Sequence, residues 1–243
     1  MDLTLVVLLF ASLSAATAVF GAGPFVVGQR LPLSRIGLAN ALAAGTMLGA
    51  AYGLLLAGLA RGMTAVAAGA VIGILFVAWT HAASGTEDLE LNRLEGGTEA
   101  YGYQVLLVNS LHAASEGVAI GAAMSVSQTF GIFMALAIAV HNVPEATVLC
   151  AILVGRGVRV SSAAGLAVAA NVSQVLLAVV TYAIVRSAPG TLPWAMGFAM
   201  GALVQLVMSE LLPESYRQAG HRSIALVAVV AMGIVALLQS VIA

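Results

Sequence analysis

The residues in this chain best suited to chemistry fall in two short stretches, His112-Ala113-Ala114-Ser115-Glu116 and His141-Asn142-Val143-Pro144-Glu145. Each places a histidine and a glutamate at i and i+4, one above the other on a single helix face. Both stretches sit in strongly apolar sequence, where ionisable groups are expensive and point to function. Two such pairs on neighbouring helices would gather two imidazoles and two carboxylates around one point. Imidazole suits zinc and other first-row divalent ions, and carboxylate oxygens bind them too. Two His and two Glu can complete a four-coordinate site, each helix clipping the ion from one side. One HxxxE pair is common in helices, but two pairs in a chain with only 4 histidines carry more weight.

The remaining ionisable groups in apolar sequence are His81, Glu210 and, just beyond, Glu214 in Glu210-Leu211-Leu212-Pro213-Glu214. Glu210 and Glu214 are again i and i+4. With His81 they form either a weak exit site or a set of solvated interfacial groups. The basic residues all lie at predicted helix ends or in loops, so no fixed cation faces the buried carboxylates. That imbalance calls for an imported positive charge, a metal ion or a proton. Pro144 removes a backbone N–H and leaves the Val140 carbonyl without its helical donor. Such freed backbone is tolerated at membrane depth where it lines a polar cavity.

The elements that must position these groups are membrane helices. The chain is 61% hydrophobic and 8% charged, with a mean hydropathy of +1.07, whereas soluble domains carry about 25% charged residues. The 26 glycines suit close helix packing in lipid. No basic tract or aromatic-basic patch suggests nucleic acid. With 1 cysteine, Cys150, no internal disulfide can form. Asp2 deprives the first apolar segment of a signal peptide's positive start, so that segment reads as a retained helix.

Helices of about 20 apolar residues predict eight spans, at 3–27, 36–60, 63–84, 103–126, 130–154, 160–185, 190–212 and 221–242, in one transmembrane domain over residues 1–243. Short connections make them antiparallel neighbours. The one longer polar connection, within 85–102, is acidic, with Glu87, Asp88, Glu90, Glu95 and Glu99 beside Arg93. It reads as a solvated link or as a cation-attracting loop at a pore mouth. Arginine placement sets the orientation. With the N-terminus outside, Arg30, Arg35, Arg93, Arg156, Arg159, Arg217 and Arg222 are cytoplasmic, against Arg61 and Arg186 outside. Both termini are therefore expected outside a cell membrane, with the acidic loop cytoplasmic.

These residues resemble the ZIP (Zrt-/Irt-like) family of divalent metal transporters. His112…Glu116-Gly117 followed by His141-Asn142-Val143-Pro144-Glu145 looks like the paired motifs of that family's fourth and fifth helices. Ala43-Ala44-Gly45-Thr46-Met47-Leu48 and Ser209-Glu210-Leu211-Leu212-Pro213-Glu214-Ser215 are similar to stretches of its second and seventh. The resemblance implies an all-α fold with inverted 3+2+3 repeats and a binuclear-type site at mid-membrane. It implies that Met47 joins His112, Glu116, His141 and Glu145 in the main metal site. Methionine alone is a soft, weak ligand. This chain departs from the pattern where Ala113 replaces an asparagine, Ser115 a proline, and Gln174 a glutamate. Asn142 alone is kept at the second metal position, and neutral amides are poorer cation ligands than carboxylates. One strong metal site rather than two is expected. Asn171, Ser173 and Gln174 either line the pathway or serve as interhelical hydrogen-bonding groups.

The function expected is transport of divalent cations, most of all Zn2+, with Cd2+, Fe2+, Mn2+ and Co2+ open by ligand type. The partners are the ion and the lipid bilayer; no organic cofactor and no enzymatic activity are expected, and homodimer formation is left open. The alternatives are an intramembrane zinc hydrolase, which would need an open coordination position and a substrate cleft, and a proton-coupled carrier of an organic solute. A receptor or scaffold role has little loop surface to work with.

Overall fold

The computed structural model describes residues 2–28, 32–84 and 99–242, and every regular element among them is helical. Most of the acidic segment, residues 85–98, lies outside the described residues. Among the described residues, six helical segments are long and apolar enough to cross a membrane: Leu3–Val26, Leu33–Ala83, Gln128–Gly155, Val160–Ser187, Pro189–Ala219 and His221–Val241.

Helix α1 (Leu3–Ala16) starts at Asp2, whose carboxylate accepts the Thr4 N–H at 3.0 Å. That bond caps the helix and holds the Asp2 carboxyl below its usual range. The chain then tightens into a 3-10 segment, Thr17–Ala22, and ends in a single turn, α2 (Gly23–Val26). Helix α3 (Leu33–Ser84) runs for 52 residues. Straight, it would measure roughly 78 Å, more than twice a hydrocarbon core. Gly62, at φ 152° and ψ 94°, breaks it. A Cβ on Gly58 would lie 2.8 Å from Cγ2 of Val66, whereas eight residues of unbroken helix separate such positions by about 12 Å. The chain therefore reverses at Gly62, and the two arms lie against each other.

Helices α4 (Glu99–Val126) and α5 (Gln128–Gly155) carry the two HxxxE stretches. Ser127 starts α5 by accepting the Phe130 N–H at 3.0 Å. Pro144 lies inside α5. The Thr17 hydroxyl donates to the Ala139 carbonyl at 2.9 Å, one residue before the carbonyl that Pro144 leaves without its helical donor. The segment 160–185 is broken at Asn171 into α6 (Val160–Ala170) and α7 (Val172–Ser187). After a 3-10 turn, α8 (Leu192–Leu206) widens into a π segment, Val207–Leu211, and continues as α9 (Leu212–Ala219). Thus residues 213–220, which the expected spans 190–212 and 221–242 leave as a connection, are helical up to Ala219, and the helix stops at Gly220, whose φ is 76°. Helix α10 (His221–Ile242) completes the chain.

The helices pack in two groups. Both arms of α3 pack with α8, and α9 and α10 join them. The other group holds α1, the 3-10 segment, α4, α5, α6 and α7, and the two meet where α5 touches α3 and α4 touches α8. Several seams bring a glycine directly against a neighbouring backbone. A Cβ on Gly117 would sit 2.3 Å from the Gln174 carbonyl oxygen, and one on Gly201 would sit 2.2 Å from that of Ala70. Lipid offers no hydrophobic drive between helices, so such close backbone approach gives them their packing energy.

Candidate metal centre

Among the described residues, two sets of three possible metal ligands gather in the helix interior. Glu116, His141 and Glu145 form one, and His81, His112 and Glu210 form the other; within each set the donor atoms lie within 4.8 Å of one another. The first set is the deeper. Glu116 is 0% exposed and His141 1%. His141 Nε2 lies 3.2 Å from Glu116 Oε1 and 3.3 Å from Glu145 Oε2. Two ligands of a tetrahedral zinc, bound at 2.0–2.1 Å, stand about 3.3 Å apart. Charge-assisted hydrogen bonds are shorter, about 2.7–2.9 Å. Both Glu116 oxygens, Glu145 Oε2 and both ring nitrogens of His141 lack hydrogen-bond partners. Buried carboxylates without donors are costly, and a divalent cation between them removes that cost.

In the second set, His81 Nε2 touches Glu210 Oε1, and His112 Nε2 lies 3.4 Å from the same oxygen. The two imidazoles are 5.3 Å apart and tilted by 38°. Glu210 sits in the π segment. Pro213 lacks the N–H that would bond the Ser209 carbonyl, and the extra residue of the widened turn re-aims the side chains there, as π-bulges at functional sites often do. One cavity of about 140 Å³ connects the sets: His112, His141, Glu145, Glu210 and Glu214 all line it.

The four groups that sequence spacing gathers at one point are thus distributed. His112 and Glu116 share a face of α4 but stand about 6 Å apart along its axis. Glu116 meets α5, and His112 meets the π segment and the second arm of α3. Sequence reading places His81 and Glu210 apart from His112; the structure brings the three together. Glu214 lies at the cavity wall, bound to Arg217 and Gln218. Met47 is buried in the apolar core with Ala44 and Ala50 and does not line the cavity.

The amides do a different job. Asn142 Nδ2 donates to Gln174 Oε1 at 3.1 Å and to the Ser14 carbonyl at 3.0 Å. Gln174 Nε2 donates to the Ala11 carbonyl at 3.4 Å. Residues on α5, α7 and α1 are therefore tied together beside His141. Asn171, at the break between α6 and α7, donates back to the Ala167 carbonyl of α6 at 2.9 Å, and Ser173 crosses to the Ser110 carbonyl at 2.6 Å. Two cavity-lining polar residues escape the sequence reading, Asn40 and Asn109. Asn40 is 3% exposed with Oδ1 lacking a hydrogen-bond partner. Its signal in sequence is an amide inside an apolar span, which alone does not separate a cavity wall from a packing contact.

The comparisons agree with this chemistry. The ZIP Zinc transporter family matches residues 80–240. "Putative zinc transporter At3g08650" of Arabidopsis thaliana is 30% identical over 231 residues, covering 93% of this chain and 37% of the relative. Zinc transporter GufA of Myxococcus xanthus is 30% identical over 155 residues, covering 63% of this chain and 61% of that protein. Zinc transporter ZIP13 of Pongo abelii is 29% identical over 124 residues, 49% of this chain and 37% of that protein. The chain therefore spans between 37% and 61% of the length of these relatives. The family is one of transporters, which favours neither the hydrolase nor the organic-solute carrier. With its apolar helices and a family match that covers both HxxxE stretches and Glu210, this multi-pass membrane protein belongs to the ZIP zinc transporter family.

Proposed function

We propose that the protein carries divalent metal cations, Zn2+ foremost, across a cell membrane towards the cytoplasm. The observation that carries this reading is the buried Glu116–His141–Glu145 set. Its ligand atoms have the spacing of a metal's coordination shell and lack hydrogen-bond partners. The ion sheds water onto these three groups and moves one helical turn along α4 to His112, His81 and Glu210. Met47 is at most an auxiliary ligand, reached by a side-chain rearrangement. Asn142, Gln174 and Asn171 hold the helices rather than the ion. Three strong donors in each set, rather than four in one, leave coordination positions for water and keep release possible. Conduction needs binding firm enough to capture the ion and loose enough to let it go. Cd2+, Fe2+, Mn2+ and Co2+ fit the same ligand types, and the route needs no organic cofactor.

In this reading the chain crosses the membrane eight times. The reversal at Gly62 turns Leu33–Ala83 into two spans, and α4 joins the remaining apolar helices. An inverted 3+2+3 arrangement then puts α4 and α5 between the repeats, a general transporter plan with its site at the midplane. The arginine distribution supports termini outside.

The test is Zn2+ uptake into proteoliposomes by the wild type, His141→Ala and Glu145→Ala. Wild-type uptake that both substitutions abolish is the expected result. Equal rates in all three would remove the assignment.

A further inference from the structure

Among the described residues lining the shared cavity, Arg217 is the one fixed cation. It stands in the last turn of α9, where the helix dipole favours positive charge. Its guanidinium donates twice to Glu214 Oε2, from Nε at 2.8 Å and from Nη2 at 2.6 Å. Gln218 Nε2 takes the other oxygen, Oε1, at 2.5 Å. The Glu214 side chain is only 17% exposed, the Arg217 side chain 54%. So the carboxylate lies in the cavity wall while the arginine reaches it from the solvated side. The other two cavity carboxylates are treated differently: Glu145 faces His141, and Glu210 faces His81 and His112. Imidazoles can give up their protons to a metal; a guanidinium cannot.

We infer that Arg217 is a tethered counter-ion that keeps Glu214 out of metal coordination and so sets how readily a divalent cation leaves the cavity at its α9 end. The inference rests on the transport reading above. Glu210 and Glu214 are one helical turn apart, so a free Glu214 carboxylate would extend the His81–His112–Glu210 set by a further strong oxygen donor. Arg217 and Gln218 occupy both of its oxygens and cancel its charge. The cation-binding groups therefore end at Glu210, and an ion beyond them meets a neutral pair. Arg217 acts through Glu214 and is a positioning residue.

The experiment uses the full chain in proteoliposomes for Zn2+ uptake, and in detergent for Zn2+ binding by calorimetry. Arg217→Gln frees one unit charge near a divalent ion in a half-solvated cavity, an effect of about tenfold in affinity. The expected result is Zn2+ binding about tenfold tighter, with KM and the maximal rate both falling because release slows. Arg217→Lys retains the charge and should stay close to wild type. Arg217→Gln with Glu214→Gln should return to wild-type affinity. Should Arg217→Gln fold poorly, Glu214→Gln alone decides: it leaves Arg217 uncompensated at the cavity wall and should weaken binding. Unchanged affinity and rate in well-folded Arg217→Gln, or a tightening that Glu214→Gln does not reverse, would overturn the inference while leaving transport intact. A wild type that neither binds nor transports Zn2+ would overturn the transport reading, and this inference with it.

Discussion

Gly117→Ala adds one methyl group beside the deepest carboxylate and tests whether the α4–α7 seam sets the metal centre. The new Cβ would stand 2.3 Å from the Gln174 carbonyl oxygen, 2.9 Å from its carbon and 3.0 Å from the Ala178 nitrogen. All three are backbone atoms, so no side chain can swing aside. Reaching ordinary contact, 3.4–4 Å, requires the helices to separate by about 1 Å, an overpacking that costs about 1–3 kcal/mol. Neither helix can yield without disturbing the centre. If α4 yields, Glu116 withdraws from His141, and the 3.2 Å spacing that fits a shared ion is lost. If α7 yields, Gln174 draws away from Asn142, the residue next to His141. A displacement of about 1 Å in a positioned constellation costs rate by orders of magnitude, roughly a hundredfold where it has been worked out for reacting groups. The control is Gly165→Ala in α6, where a Cβ meets nothing within 4 Å and should stabilise the helix by up to about 1 kcal/mol. The assay pairs thermal unfolding in detergent with Zn2+ uptake. Gly117→Ala should melt earlier and lose most of its uptake, and Gly165→Ala should do neither. If the two glycine variants melt and transport alike, the seam does not set the site.

Gln174→Leu removes the acceptor of Asn142 Nδ2 and leaves that buried amide one partner short; a stability loss of about 1–3 kcal/mol is expected on denaturant or thermal titration. Uptake should fall as external pH drops below about 6, because imidazole and carboxylate must be deprotonated to hold metal; a flat pH profile in Zn2+-loaded vesicles would count against the ligand set. Glu210→Gln should leave Zn2+ bound at the first set while slowing turnover, so calorimetry shows retained binding and uptake shows a reduced maximal rate. Loss of all binding in that variant would mean the two sets act as one site.

Much of the fold is legible in the sequence because lipid restricts backbone to closed hydrogen bonding. Apolar length alone marks most of the helices, and the HxxxE spacing marks α4 and α5 as carriers of clustered ionisable groups, a clustering that the structure extends to His81 and Glu210. The break at Gly62 was legible as a short polar connection, Arg61-Gly62, yet its economy was not: one glycine with positive φ turns the chain. The continuation of α9 through Pro213 was hidden for the opposite reason. Pro213, directly after the expected span 190–212, reads as a helix end, but a widened π turn absorbs the missing N–H and carries the helix on. Side-chain partners were the least legible. Periodicity places His112 and Glu116 on one face, but which neighbouring helix each meets depends on tilt and depth, neither of which spacing encodes.

That distribution has a mechanical consequence under the transport reading. One helix, α4, contributes to both sets of ligands, Glu116 to the inner one and His112 to the other, so it cannot move along its axis without changing both. A small slide of α4 relative to α5 stretches the Glu116–His141 spacing of 3.2 Å. The same slide relative to the π segment alters the 3.4 Å contact of His112 with Glu210. The two affinities are thereby coupled through a rigid element, and weakening one set while strengthening the other requires no second moving part. The glycine seam fits this role. Gly117 and Gly121 seat α4 on the backbone of α7, so α4 and α7 move together against α8 and α3, and any slide against α5 also breaks the Asn142–Gln174 bond. Cysteines placed across α4 and α8 and cross-linked should then stop uptake while sparing Zn2+ binding, and a cross-link between α4 and α7 should leave uptake running. Uptake that survives the α4–α8 cross-link at the wild-type rate would show that the ion passes between the sets without α4 moving against α8.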